Sequence, residues 1–349
     1  MMAGGDTIAS PQTDLDEDHR NSFIKALLRI LHTEVAGLTY AEILDGLPTS
    51  ASYFDFFYKQ EGHPAINHTE LCPGVLNRTY QLRDQFDLTT LHFSSSLLSS
   101  FQATQLGTRG FLLKLLELLA VSCHQIAVYI FQRGESRHHN EYERWRDEPR
   151  ERNQWDWYRG PSAFCHRSYL ASEQYPNGVA DVVGYWAEAR IFGGVVVFDR
   201  GETDTECREV YLHSSRIRGP QTLYPPTSIQ SDNLMRFLLG EAESGYATPL
   251  PILASADNRW RWDAWDAFSR FHIYRDRYER RVSPTKPRKD CRSATDWPEI
   301  TDQYILLNAM YDRQEGKPVD ERRLWLRRSV FDRLHRRLLP GLTTTRNNF

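Results

Sequence analysis

Residues 175–213 constrain the fold most, because they place one helix directly before an apolar strand and a charged turn. At about 100° per residue, Asp181, Tyr185 and Glu188 fall on one narrow face of that helix. Two carboxylates beside a phenol can carry out acid–base chemistry or recognise a cation, so we name these three as candidate catalytic residues. The same spacing is also typical of a solvated helix face.

The residues after this helix predict a small antiparallel sheet. Gly193 and Gly194 end the helix, and short apolar runs separated by short loops follow, as in a meander. We expect strands at 195–198, 209–213 and 221–224. Other apolar patterns predict helices at 21–31, 111–124, 228–239 and 262–282, and a core strand at 126–131. The predicted fold class is α+β, a helix-rich single globular unit with a small antiparallel β-meander.

The turn at 198–206 carries four acidic residues, among them Asp199 and Glu202. Clustered acids on a loop are usually just solvated, but beside the acidic helix face they could form a negative pocket. A planar guanidinium pairs with carboxylates through two parallel hydrogen bonds. We therefore expect an arginine side chain as the guest, with Asp199, Glu202 and Trp186 as substrate-binding residues.

Charge is distributed unevenly along a chain whose net charge is −3. Residues 258–338 contain 20 Lys and Arg against 13 Asp and Glu, whereas residues 1–257 contain 22 against 33. A basic third on an acidic body is a possible footprint for a polyanion. The predicted organisation is a disordered acidic tail at 1–18, an acidic α+β core at 19–257, a basic helical region packed on it at 258–340, and a tail at 341–349.

The densest basic stretch is 275–292, where arginines alternate with an aromatic residue and a Pro/Lys-rich loop follows. The candidate nucleic-acid-binding residues are Arg275, Arg277, Arg280, Arg281, Lys286, Arg288 and Lys289. A second cluster at 321–339 has apolar residues near helical spacing, which favours a docking helix with a solvated basic face.

Several classes of site have no support. The chain lacks GxGxxG, GxxxxGK[ST], HExxH and GxSxG, and its five cysteines form no CxxC pair. We therefore expect no cofactor and no metal. The first residues are polar and acidic without an apolar signal core, and charged residues interrupt the most apolar run at 111–131. These features favour a soluble cytoplasmic protein with no membrane span.

Four strings together resemble a family of filamentous-fungal proteins that includes the arginine-containing cyclodipeptide synthases. They are AVSCHQIAVYIF (120–131), YPNGVADVVGYWAEARIFGGVVVFDRG (175–201), VYLHSS (210–215) and NRWRWDAWDAF (258–268). The similarity covers roughly residues 110–285. It implies an enzyme of secondary metabolism that takes aminoacyl groups from charged tRNAs, one of them arginyl-tRNA, and releases a cyclic dipeptide.

The chain departs from the bacterial cyclodipeptide synthases at one point. Those enzymes resemble a Rossmann-type domain with a nucleophilic serine after the first strand. Residues 50–54 have a similar composition around Ser52, but the preceding residues predict a short helix that ends at Gly46. No nucleophile is therefore assigned to Ser52.

Two other functions stay open from the residues alone. One is a non-catalytic or regulatory RNA-binding protein that uses the basic third. The other is a small-molecule cyclase or hydrolase that uses Asp181, Tyr185 and Glu188. Sensitivity of the activity to RNase separates tRNA-dependent synthesis from the small-molecule enzyme, and product formation separates both enzymes from the binding protein.

Overall fold

The computed structural model describes residues 8–134, 137–138, 140–149, 159–204, 206–241, 247–287 and 293–319. Within them the α-helices are α1 (Pro11–Asp14), α2 (Glu17–Leu31), α3 (Glu34–Asp45), α4 (Ser50–Phe56), α5 (Val75–Asp84), α6 (Ser95–Gln102), α7 (Arg109–Gln132), α8 (Glu141–Asp147), α9 (Val179–Phe192), α10 (Ser228–Leu239), α11 (Ala264–Arg270) and α12 (Glu299–Gln314). The strands are β1 (Ile8–Ala9), β2 (Phe93–Ser94), β3 (Val195–Asp199), β4 (Val210–His213), β5 (Leu223–Tyr224) and β6 (Ile273–Tyr274). This architecture confirms the predicted helix-rich α+β class.

Two long helices, α7 and α9, pack against each other at the centre of the fold, and α2 and α3 lie beside them. The side chain of Thr108 caps the start of α7 by accepting a hydrogen bond from the amide of Phe111. Gly193 ends α9 with φ of 99°. A Cβ at this position would overlap the carbonyl oxygen of Ile252, so both the left-handed backbone and the close approach require glycine.

The main sheet has the order β5-β4-β3-β6, and all of its pairs are antiparallel. Along β3, Val196 and Phe198 join the large core under the helices, whereas Val195 and Val197 join a second core on the opposite face. Because both faces are covered, the strand is an uninterrupted apolar run rather than an alternating one. The predicted three-strand meander is confirmed, and β6 adds a fourth strand beside β3.

The predicted strand at 126–131 is wrong, because α7 continues without interruption to Gln132. β-branched and aromatic residues favour strands only weakly, and a short apolar run cannot be distinguished from a buried helix by its pattern. Residues 126–131 are helical because this part of α7 packs against α9. Within the described residues, α7 is the one helix long and apolar enough to cross a membrane, but 83% of its most apolar window is buried inside the fold, as in the core helix of a soluble protein.

The predicted helix at 262–282 is also wrong. Only Ala264–Arg270 is helical, and His272 then adopts a positive φ of 52° that redirects the chain into β6. The described part of the basic region, 258–287 and 293–319, therefore contributes a strand and loops to the core as well as the helices α11 and α12. The apolar residues of 262–282 pack on the sheet rather than along one helix face.

The tail predicted to be disordered at 1–18 is ordered from Ile8 onward. β1 pairs with β2, and α1 and the start of α2 follow it. Asp16 caps α2 by accepting a hydrogen bond from the amide of His19, so the acidic residues here include a helix cap. The docking helix expected at 321–339 and the tail at 341–349 lie outside the described residues.

Candidate functional site

A buried polar network joins α7 to α9. Nδ1 of His124 lies 2.8 Å from Oε1 of Glu188, and Nε2 lies 3.0 Å from Oδ1 of Asp181. Arg275 donates from Nη1 to Oε2 of Glu188 at 2.7 Å. The predicted acidic face of α9 thus exists, but it faces the protein interior. The interpretation of this face as a solvated surface is wrong.

One glycine makes room for the network. Gly184 lies on α9 between the two carboxylates, and a Cβ there would lie 2.5 Å from Nε2 of His124. The imidazole therefore rests directly on the backbone of α9. A glycine inside a helix costs about 1 kcal/mol relative to alanine, so this position gives up helix stability in favour of the close contact.

The network carries balanced charge. Burial opposes the imidazolium form of His124, but the hydrogen bonds to Asp181 and Glu188 outweigh it and raise the pKa of the ring. Burial likewise opposes the two carboxylates, and the cationic neighbours Arg275 and His124 hold the pKa of Glu188 below its ordinary value. The hydrogen bonds from His124 and Asn177 do the same for the pKa of Asp181. Both ring nitrogens of His124 face carboxylate oxygens, and only the imidazolium form donates from both. This geometry pairs two cations, His124 and Arg275, with two anions, Asp181 and Glu188.

Tyr185 lies at the edge of this cluster in an aromatic stack. Its ring stacks on Tyr169 at 4.5 Å between centroids and contacts Tyr175 at 5.4 Å. The guanidinium of Arg275 lies 5.4 Å from the ring centroid. Burial raises the pKa of Tyr185, although Arg275 opposes the shift, so the phenol is protonated. Within the described residues its hydroxyl makes no hydrogen bond, which leaves it available as a proton donor.

Glu279 is a buried carboxyl group that the sequence did not indicate. Its Oε2 accepts hydrogen bonds from the amides of Arg275 and Asp276, whereas its Oε1 makes no hydrogen bond within the described chain. Burial raises its pKa, although Arg280 and Arg275 oppose the shift. A buried acid with a raised pKa is a typical acid–base group. Nε of Arg280 lies 4.0 Å from Oε1 of Glu279, an ion-pair contact too long for a hydrogen bond.

An open cavity of about 440 Å³ lies on the other side of Arg280. Arg280 lines the cavity and packs over the ring of Tyr169, which stacks on Tyr185, so two aromatic rings connect the cavity wall to the network. The residues that line the cavity and carry charge or an aromatic ring are Arg167, Glu173, Asp263, Trp265, Arg280, Arg281 and Lys286. The cavity lining therefore contains both cations that could bind phosphate and carboxylates that could bind an ammonium or guanidinium group.

The expected substrate-binding residues do not surround one pocket. Trp186 is buried in the core, with its ring 4.8 Å from that of Phe164. Oδ1 of Asp199 accepts a hydrogen bond from the amide of Gly201 within the turn, and Glu202 is exposed. An acidic residue of this turn, Asp204, already pairs with an arginine of the same chain, Arg277.

The candidate nucleic-acid-binding residues separate into buried and exposed groups. Arg275 is buried in the network, and Arg280 is buried with one donor bonded to the carbonyl oxygen of Ala264. The side chains of Arg277, Arg281 and Lys286 reach solvent. Arg288 and Lys289 lie outside the described residues. Arg281 and Lys286 line the cavity, and Arg277 does not.

Ser52 lies at the start of α4, after the helix that ends at Gly46 as predicted. Its hydroxyl donates to Oε1 of Glu42 at 2.5 Å and contacts Arg190, which itself pairs with Glu42. The serine is a member of a buried ion-pair cluster, and this placement supports no nucleophilic role.

No family model, curated protein or solved structure matches the chain.

Sequence reasoning found the carboxylates of the network but missed His124, Arg275 as their partner, and Glu279. His124 lies in an apolar run 57 residues before Asp181, and Glu279 lies in a stretch rich in charges of both signs. The one sequence signal was Gly184 inside an otherwise strong helix, since such a glycine often marks a close approach.

Proposed function

We propose that this chain is a cytoplasmic enzyme of secondary metabolism that makes an arginine-containing cyclic dipeptide from aminoacyl-tRNAs. The observation that carries the proposal is the open cavity beside the buried network. It combines exposed cations, a tryptophan and carboxylates in a volume typical of ligand pockets. Cations and aromatic rings are what proteins use to hold the backbone and bases of single-stranded nucleic acid.

The type of reaction is taken from the resemblance to the fungal cyclodipeptide synthases. The positions of the four similar strings in the fold support this assignment. The string 120–131 forms the second half of α7, 175–201 forms α9 and β3, and 210–215 includes β4. The first two of these contribute His124 and its carboxylate partners to the network. The string 258–268 contributes Asp263 and Trp265 to the cavity. Segments that share a chemistry are expected to meet at one site.

The reaction needs two successive aminolyses. In the first step the α-amine of one aminoacyl-tRNA attacks the ester carbonyl of the other and gives a dipeptidyl-tRNA. In the second step the free α-amine of this dipeptide attacks its own ester carbonyl and closes the ring. Each step forms one amide bond and breaks one ester bond, and the released ribose hydroxyl takes the proton of the amine. Arg281 and Lys286 would hold the acceptor-end phosphates, and Trp265 would stack on a base. Glu173 and Asp263 pair with Arg281 and Lys286 in the structure. They would hold the ammonium or guanidinium group of the aminoacyl moiety once phosphate engages those two cations.

Tyr185 is our candidate catalytic residue, because burial raises the pKa of its phenol and keeps it protonated. It is buried behind Tyr169 and Arg280 rather than in the cavity lining, so in this proposal the reacting ester would have to reach past Arg280. Asp181 and Glu188 are positioning residues in this proposal, since both are buried and engaged by His124. Their network fixes Arg275, and through it the segment that carries Arg280 and Arg281 into the cavity.

The first experiment is expression in a host without such products, followed by untargeted mass spectrometry of the medium. A new arginine-containing cyclic dipeptide is the expected result. No product, together with retained tRNA binding, would favour the non-catalytic RNA-binding alternative. A product whose formation by purified protein resists RNase would favour the small-molecule enzyme.

Tyr185→Phe tests the catalytic assignment. We expect a loss of about 10²–10⁴-fold in rate, the usual contribution of a general acid, with an unchanged melting temperature because no hydrogen bond is lost. Tyr175→Phe is the matched control, since the Tyr175 hydroxyl donates to the carbonyl oxygen of Glu279 and its removal should lower stability. Full activity in Tyr185→Phe would remove the phenol from the mechanism.

A further inference from the structure

A second cluster of reactive side chains lies where three chain segments meet. Asp45 is the last residue of α3, His68 and Cys72 lie in the loop before α5, and His138 precedes α8. One ligand atom from each of these residues lies within 4.8 Å of the other three. Asp45 and His68 are buried, and Cys72 and His138 are partly buried.

Both histidines direct the same nitrogen toward the centre of this cluster. Nε2 of His68 lies 3.1 Å from Oδ2 of Asp45, and Nε2 of His138 lies 3.3 Å from Sγ of Cys72. The amide of Cys72 also donates to Oδ2 of Asp45 at 2.8 Å, which fixes the carboxylate relative to the thiol. The four side chains are thus oriented toward a common point.

The outer nitrogen of each imidazole has an acceptor. Nδ1 of His68 lies 3.1 Å from the carbonyl oxygen of Pro48, and Nδ1 of His138 lies 3.1 Å from Oε1 of Glu141. Metal-bound histidines almost always donate their second N–H to a carbonyl or carboxylate, which fixes the tautomer and the ring orientation. Both histidines of the cluster have this arrangement.

We propose that Asp45, His68, Cys72 and His138 bind one structural Zn²⁺ ion. One thiolate, two imidazoles and one carboxylate form a donor set that suits zinc better than magnesium or calcium, which prefer oxygen ligands. The thiolate and the carboxylate together neutralise the divalent charge. Zinc–ligand bonds of about 2.0–2.3 Å place tetrahedral ligand atoms roughly 3.3–3.8 Å apart. The 3.1 Å pair lies just below that range and the 3.3 Å pair at its lower limit. All four ligand atoms lie within 4.8 Å of one another, so the widest pairs would have to close by up to about 1 Å.

Four protein ligands close the coordination sphere, which is the arrangement of structural rather than catalytic zinc. The ion would tie the segment before α8 to α3 and to the loop before α5. Tyr142 and Trp145 of α8 pack there against Leu47, so zinc would hold this small apolar cluster in place. The expectation of no metal arose because only His68 and Cys72 are close in sequence, and they form no CxxC motif.

Metal analysis of the purified full-length chain, with any affinity tag removed, is the direct test. We expect about one zinc per chain after dialysis, and loss of zinc with a lower melting temperature after chelation. Cobalt added to the stripped protein should give intense visible d–d bands and a thiolate charge-transfer band, as in tetrahedral sites. A folded chain that contains no zinc and shows no such spectrum would overturn the proposal.

Variants test the ligand assignment. Cys72→Ser should weaken zinc binding by at least about 100-fold, and Glu141→Gln by about 10–100-fold, because the latter removes only the hydrogen-bond partner of His138. Cys207→Ser is the matched control, as a free and partly buried cysteine outside the cluster, and it should bind zinc like the unmodified chain. Equal zinc affinity in Cys72→Ser and the unmodified chain would refute the site. If Cys72→Ser fails to fold, the cobalt spectrum of the unmodified chain decides.

Discussion

Removal of the charge on Glu188 tests the buried network in the most quantitative way. Glu188 is 0% exposed, and its two oxygens lie 2.8 Å from His124 and 2.7 Å from Arg275. Glu188→Gln keeps the shape of the side chain but leaves two buried cations with Asp181 as the remaining anion. Loss of one partner from a buried pair costs about 3–5 kcal/mol. For a chain of 349 residues that corresponds to a fall in melting temperature of roughly 4–7 °C, because the entropy of unfolding grows with chain length.

Thermal unfolding followed by circular dichroism at pH 7 is the assay. Glu209→Gln is the matched control, because Glu209 pairs with Arg109 on the surface and an exposed pair contributes at most about 1 kcal/mol. The double variant Glu188→Gln/Arg275→Gln removes one charge of each sign and should recover part of the loss. A fall no larger than that of Glu209→Gln would refute the idea that Glu188 holds the fold together.

Three further results are expected. Gly184→Ala should destabilise the chain by about 1–3 kcal/mol in a urea titration, because the added Cβ would overlap the ring of His124. Alanine has the better helix propensity, so this loss would come from the contact alone. Gly110→Ala is the control and should be neutral or stabilising, since a Cβ there meets no atom closer than 3.9 Å. The pKa of His124 is raised, so the imidazolium stabilises the fold fully below the ordinary pKa of 6.5 and loses this contribution as pH rises through the raised value. The melting temperature of the unmodified chain should therefore fall over that pH range. The melting temperature of His124→Asn should not show this fall. The double variant Arg281→Ala/Lys286→Ala should lower the slope of log affinity for tRNA against log salt concentration by roughly 1–2. Arg277→Ala, outside the cavity, should change this slope less. Equal changes in the double variant and in Arg277→Ala would contradict a role for the cavity.

Local chemistry made the elements after α9 predictable from the sequence. Gly193 ends α9, the meander follows, and the helix expected at 228–239 begins with a capping box formed by Thr227 and Gln230. In each case the deciding interaction lies within a few residues. The helix at 262–282 failed for the opposite reason, since pairing of β6 with β3 is a contact over more than 70 residues.

The site was predictable only in part. The periodicity of α9 correctly placed Asp181, Tyr185 and Glu188 on one face, but no local signal showed that this face is buried. Its partners come from α7 and from the loop around Arg275, at separations of 57 to 87 residues. Burial also changes the expected role of Glu188, because a carboxylate engaged by two cations positions its neighbours rather than exchanging protons.

The central claim, that the chain uses aminoacyl-tRNA rather than free amino acids, has one direct test. Purified protein would be incubated with preformed radiolabelled arginyl-tRNA and a second aminoacyl-tRNA, with unlabelled free arginine in excess and without ATP. Our account predicts a labelled cyclic dipeptide that disappears when the tRNA is digested beforehand with RNase. An unlabelled product, or a labelled product that survives RNase treatment, would contradict it.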